Sequence, residues 1–229
     1  MNPALFEGEI DGKPVALYML RNANGMVVGI TNYGGKIQQL IAPDREGNLA
    51  DIVLGYDSLE AAIQGAPSVG AFIGRYAGRI ENSSFRLDGK NYRLSANNGA
   101  HCLHGGVKGT RFRVFDVVKR DESSIEMSYV FADGEAGFPG ALALRLVYSL
   151  TAFNELVIAY EATAWDKPTV ASFTSHAFFN LNGEASGSAA GHKVMICADR
   201  CLAMTPELVA TGEILSVTGT PSIFARPPC

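Results

Sequence analysis

The stretch Ala141-Leu142-Ala143-Leu144-Arg145-Leu146-Val147-Tyr148-Ser149-Leu150 decides the fold class. Leu142, Leu144, Leu146, Tyr148 and Leu150 recur at a period of two, with Ala141, Ala143, Arg145, Val147 and Ser149 between them. A strand turns successive side chains to opposite faces, whereas a helix would scatter these leucines around its circumference. The stretch therefore reads as a strand with one buried face. The same alternation flanks it. Upstream, Ile125, Met127, Tyr129 and Phe131 interleave with Ser124, Glu126, Ser128 and Val130; downstream, after a turn at Thr151 to Asn154, come Leu156, Ile158 and Tyr160. Three such segments predict an antiparallel meander.

Working outward, strands are expected at Met26 to Ile30, Lys36 to Ile41, Asp51 to Leu54, Ser84 to Leu87, Tyr92 to Leu94 and Arg111 to Val118, each bounded by Gly, Asn or Pro. One helix stands out, Asp57 to Gly65, with Asp57 or Ser58 as its N-cap and Gly65 as its stop. Many strands, one short helix and no strand-then-helix repeat predict an all-β protein, an antiparallel β-sandwich forming a single domain over residues 1–229. The small, polar segment Asn182 to Gly191 reads as a loop.

Composition narrows the function classes. The chain has 229 residues, 47% hydrophobic and 18% charged, enough apolar material for one core. Nineteen Lys and Arg against 23 Asp and Glu give a net charge of -4, which lacks the electropositive surface that nucleic acid or an anionic membrane requires. Neither is expected as a partner. No apolar run reaches membrane-spanning length, and Glu7, Glu9 and Asp11 stand where a signal peptide would be basic and then greasy, so a cytoplasmic location is expected. The four cysteines, Cys102, Cys197, Cys201 and Cys229, are too few for a disulfide framework, and Cys197, inside the apolar run Val194 to Ala198, is expected to behave as a small hydrophobe. Two metal-like groupings, His101 with Cys102 and His104, and His192 with Cys197 and Cys201, lack a paired Cys-x-x-Cys knuckle. No metal or other cofactor is expected.

Ionisable residues in Gly-rich turns are the better site candidates, because loops on a rigid sandwich present groups to ligand. Three segments qualify. Gly74-Arg75-Tyr76-Ala77-Gly78-Arg79-Ile80 carries two arginines, of which Arg79 could donate paired hydrogen bonds to neighbouring sugar hydroxyls or a carboxylate, or serve structure alone. Asn97 to Gly106 contains His104, followed by two glycines that would let backbone approach a ligand closely, although a lone histidine is more often a hydrogen-bonded structural residue. Ser175-His176-Ala177-Phe178-Phe179-Asn180 sets a histidine beside two aromatics and an amide, a composition suited to sugar rings, although His176 could equally cap a core strand.

Together these segments resemble the aldose 1-epimerase (galactose mutarotase) family in both order and spacing. Asn32-Tyr33-Gly34-Gly35 is similar to its Asn-x-Gly-Gly, Gly74 to Ile80 to its Gly-Arg-x-Ala-x-Arg-Ile, and Phe85 to Leu94 to its Phe-x-Leu-Asp-Gly run. Leu103 to Gly106 matches Leu-His-Gly-Gly, Ser175 to Gly183 the second histidine motif, and Asp51 to Asp57, Thr211 to Ile214 and Gly219 to Pro221 further landmarks. The resemblance implies the galactose mutarotase-like supersandwich, a small aldose such as galactose or glucose as substrate, and interconversion of its α and β anomers without a cofactor. Carried over by position, it implies that His176 is the general acid on the ring oxygen and that His104 and Arg79 hold and polarise the sugar. His104 and His176 are thus the catalytic candidates, and Arg79, His104 and His176 the substrate-binding ones.

The resemblance also has gaps. The family's general-base glutamate and a sugar-binding aspartate lie beyond the Gly-Thr-Pro landmark, and this sequence stops before both, with Ser222-Ile223 in place of the usual Phe-Asp. Gly78 replaces an asparagine common in the family. The expectation is a mutarotase-like sandwich incomplete at its C-terminus, weak or inactive as an isomerase. The alternatives are a catalytically silent carbohydrate-binding or regulatory module, or a truncated fragment. Whether the protein is a monomer or a dimer is open.

Overall fold

The computed structural model describes residues 1–220. Two four-stranded antiparallel sheets dominate. The first runs in chain order through β1 (Leu17–Arg21), β2 (Val27–Thr31), β3 (Lys36–Pro43) and β4 (Leu49–Asp51). The second runs through β5 (Asp116–Arg120), β6 (Ser124–Phe131), β7 (Leu142–Leu150) and β8 (Leu156–Ala164). The decisive stretch is β7, a nine-residue strand flanked by the other two segments of the expected meander. Register holds its buried face together: Leu146 lies opposite Met127 on one side and Tyr160 on the other.

The sheets pack face to face. Leu20, Val28, Ile30, Ile37 and Leu40 of the first meet Ile125, Met127, Leu144, Leu146 and Tyr148 of the second in one cluster, none of them more than 3% exposed. This is a sandwich core. The Asn32-Tyr33-Gly34-Gly35 motif is part of its frame. Asn32, buried, accepts from the Ala16 amide and donates to the carbonyls of Pro14 and Phe115, while the Tyr148 hydroxyl donates to the Gly35 carbonyl at 2.7 Å. Gly34 has φ +73, and a β-carbon there would lie 2.8 Å from the Arg111 carbonyl oxygen. Only glycine fits.

Three expectations shift. The expected helix is α1 (Leu59–Gln64), capped by Ser58 rather than Asp57: the Ser58 hydroxyl accepts from the Ala61 amide. The strand expected from Arg111 starts later, at Asp116, because Thr110 donates its hydroxyl to the Phe72 carbonyl and its amide to the Gly74 carbonyl, which turns Thr110–Phe112 into a single 3₁₀ turn. The strand expected at Asp51 to Leu54 ends at Asp51, whose carboxylate accepts from the Leu40 and Val53 amides in place of ladder bonds. The run Val194 to Ala198 is on the surface, with Val194 61% exposed and Cys197 exposed. Those five residues form no helix or strand, and the backbone hydrogen bond from the Ala198 amide to the Ile196 carbonyl stays within the run, so no sheet carries the segment into a core. Among the described residues no helix is long and apolar enough to cross a membrane.

Candidate active site

Two two-residue ladders carry the candidate site. Phe72–Ile73 pairs with Thr174–Ser175, so His176 follows directly on a fixed strand end. Its amide donates to the Ala71 carbonyl, and its carbonyl accepts from the Gly70 amide. Arg79–Ile80 pairs with Cys102–Leu103, with Leu103 opposite Arg79, so His104 emerges one residue past that partner. The chain has thereby brought two distant histidines together. Their rings meet edge to face with centroids 5.3 Å apart, and the Phe178 ring lies 5.1 Å from His176. Phe178 and Phe179 are 46% and 52% exposed, which leaves aromatic surface beside the imidazoles.

Gly78 fixes His104 from two directions. The His104 amide donates to the Gly78 carbonyl at 3.0 Å, and the Gly78 amide donates to His104 Nδ1 at 3.1 Å. A backbone N–H can only donate, so Nδ1 is the acceptor, and the neutral ring carries its proton on Nε2. His104 itself has φ +56, a backbone region that side chains with a β-carbon rarely occupy. Burial first, then the charges of Arg111, His176 and Arg79, press its pKa from 6.5 down to about 4. At neutral pH it is a hydrogen-bond donor and not a base.

Arg79 is half-buried, and its Nε donates to Asn98 Oδ1 at 2.9 Å. The Asn97 side chain braces the same loop, donating to the Leu103 carbonyl and accepting from the Leu103 amide. Asn98, which orients Arg79 in this way, lies in the Asn97 to Gly106 stretch and had no role in the sequence reading. Arg79, Asn98, His101, Glu207 and Leu208 also border a cavity of about 530 Å³. The other arginine of the motif, Arg75, goes the opposite way. It is 2% exposed, bonded to the carbonyls of Pro139 and Gly140, with the Phe131 and Phe138 rings within 6 Å. It belongs to the interior.

The glycines after His104 require a correction. A β-carbon on Gly105 would sit 2.2 Å from the Gly74 carbonyl oxygen, and one on Gly106 would sit 2.4 Å from the Ser95 hydroxyl. The space they make is filled by the protein's own chain and not by a ligand. At Gly78 the reverse holds, because a β-carbon there meets nothing within 4 Å. Arg111 was missed altogether. Placed only at the start of an expected strand and given no role, it is 4% exposed and reaches the carbonyls of Leu103 and Gly106 on either side of His104. Its place in a Gly-Thr turn just after Leu-His-Gly-Gly was the available signal. Among the described residues, no group of three His, Cys, Asp or Glu side chains is placed to hold a metal ion.

Comparisons with known proteins agree on family and fold. The sequence profile of the family described as aldose 1-epimerase matches residues 16–228. A galactose mutarotase from Bos taurus is 42% identical over 200 residues, covering 87% of this chain and 58% of the relative. An aldose 1-epimerase from Escherichia coli K12 is 37% identical over 210 residues, covering 92% and 60%. The chain thus spans about three-fifths of the length of these relatives. Among solved structures, a GalM/aldose epimerase homologue from C. elegans superposes with a TM-score of 0.84 at 31% identity, covering 93% of this chain and 64% of that one. Galactose 1-epimerase from Lactobacillus acidophilus superposes with a TM-score of 0.80 at 26% identity, covering 96% and 64%. On sequence and fold together, the chain belongs to the aldose 1-epimerase family.

Proposed function

We propose that this chain supplies the hexose-binding and acid-donating part of an aldose 1-epimerase site. The observation that carries the reading is the imidazole pair, His104 against His176 at 5.3 Å with the Arg79 charge bearing on it. Opening a pyranose moves the C1 hydroxyl proton to a base, breaks the C1–O5 bond and places a proton on O5; rotation about C1–C2 and the reverse steps give the other anomer. His104, neutral with its proton on Nε2, donates to a sugar oxygen. His176 gives the proton to O5 and takes it back on closure, a task an imidazole performs near neutral pH. Arg79, oriented by Asn98, holds ring hydroxyls. The exposed Phe178 ring offers a face for the apolar side of the sugar.

One observation favours a second reading, a sugar-binding module. The charges that act on His104 are Arg111, His176 and Arg79, with no carboxylate among them in the described residues. A positioned acid or base contributes about 10²–10⁴ in rate, so binding can persist where turnover is slow. Polarimetry of freshly dissolved α-D-galactose or α-D-glucose separates the two. Mutarotation faster than buffer and lost in His176→Ala supports the isomerase; a rate equal to buffer, with hexose binding in calorimetry that Arg79→Ala abolishes, supports the module. Neither rate nor binding heat at any sugar concentration would sink both.

A further inference from the structure

We infer that Arg111 is the positioning residue of this site: its buried guanidinium ties the segments presenting both histidines and sets a permanent positive charge behind His104. The inference rests on the reading of His104 as a sugar-binding donor. Arg111 Nη2 donates to the carbonyls of Leu103 and Gly106, each at 3.4 Å, the residues just before and two after His104. Its Nη1 donates to Ser68 Oγ at 3.3 Å. Ser68 belongs to the turn that holds His176, since the Ser68 carbonyl accepts from the Ala71 amide and the Ala71 carbonyl accepts from the His176 amide. One side chain therefore spans both loops.

Its charge is as informative as its bonds. The groups whose charges reach Arg111 or His104 are Lys36, Arg79, His176 and Cys102, and the Cys102 thiol is held neutral by burial, with a pKa of about 11. No carboxylate among the described residues acts on either group. A fixed cation of this kind opposes a second positive charge on the neighbouring ring. His104 then stays a donor through Nε2 even when the surrounding solution is mildly acidic. The loss of Arg111 also leaves neither carbonyl without a donor. The Leu103 carbonyl keeps the Asn97 amide nitrogen as a donor, and the Gly106 carbonyl keeps the Gly109 amide.

The test follows the His104 imidazole by NMR titration in the full chain, assigned against His104→Gln, so that it needs no turnover and its failure is separate from failure of the isomerase reading. In Arg111→Met the His104 midpoint should rise by about one pH unit, a roughly tenfold larger imidazolium-to-imidazole ratio at any given pH. Arg111→Lys, which keeps the charge, should restore most of the difference. A midpoint unchanged in Arg111→Met overturns the inference, and so does a lysine variant that behaves like the methionine one. If Arg111→Met does not fold, Arg111→Gln removes the charge and keeps two donors, with the same outcomes expected. A wild-type His104 titrating at an ordinary 6.5 overturns the inference by itself.

Discussion

Lys36 opens β3 at 0% exposure, its ammonium donating to the Ala62 carbonyl at 3.2 Å and lying 4.3 Å from the centre of the Tyr33 ring. Burial, and then the nearby Arg111, lower its pKa from 10.5 to about 8. The sign of the linkage follows. Below pH 8 both folded and unfolded chains hold the proton, and the fold bears the cost of a desolvated cation, about 3 kcal/mol as an order of magnitude. Between pH 8 and 10.5 the unfolded chain binds the proton that the native state has lost, so this residue makes stability rise with pH. Lys36→Met should match or exceed the wild type at pH 7 in guanidinium melts, because the thioether can pack on the Tyr33 ring without desolvating a charge. The advantage should shrink toward pH 10. A methionine variant markedly weaker at pH 7 and equally so at pH 10 would end this account. Lys36, Arg75 and Arg111 share one reason for escaping the sequence reading: a basic residue in a strand or turn is ordinarily solvated, and only long-range packing reveals otherwise. Arg79, His104 and His176 stood out as candidates because glycines and aromatics crowd around them locally, and the family resemblance set Arg79 apart from Arg75 four residues earlier.

At the scale of elements, β7 shows what periodicity can and cannot settle. Its burial alternates along the strand, with Leu142, Leu144, Leu146, Tyr148 and Leu150 all buried and Arg145 exposed. Leu146 is 0% exposed between Met127 and Tyr160, so Leu146→Ala should cost about 3 kcal/mol through lost burial and a residual cavity. Val147, one residue on and facing the other way, is half-buried, and Val147→Ala should cost about 1 kcal/mol or less. Chemical denaturation of the two variants reads the difference; equal losses would mean that the two faces of β7 are not distinct. The neighbouring β8 carries the same pattern in sequence, yet Tyr160 on its inward row is 49% exposed. Period two tells which face turns toward the core but not how much lies over it. In β1, Leu17-Tyr18-Met19-Leu20 gives no alternation at all, because apolar side chains occupy both of its faces, and the strand went unread.

Across the whole molecule, burial is uneven. The large core cluster draws its buried residues from Leu20 to Leu150, and beyond Ala164 only Val209 and Val217 are buried hydrophobics among the described residues. Sequence composition cannot show this, since Val194, Met195, Ile196, Leu202, Ile214 and Leu215 are as apolar as the core and are 42% exposed or more. Segments with few buried contacts open at low free energy, whereas a sandwich core opens only with global unfolding. The cysteines sample both regimes. Cys197 and Cys201 are exposed, Cys102 is 1% exposed, and Cys229 lies outside the described residues. Burial raises the Cys102 pKa to about 11, so at pH 8 on the order of one molecule in a thousand would carry its thiolate even if a reagent could reach it. A thiol-specific alkylating reagent at pH 8, followed by peptide mapping, should therefore label Cys197 and Cys201 in the native protein, while Cys102 reacts only at the rate of global unfolding. Guanidinium just below the melting transition should raise the Cys102 rate by orders of magnitude and leave the other two nearly unchanged. Native-state labelling of Cys102 as fast as Cys201 would mean that the ladder joining Arg79 to Leu103 opens on its own, and with it the frame that presents His104.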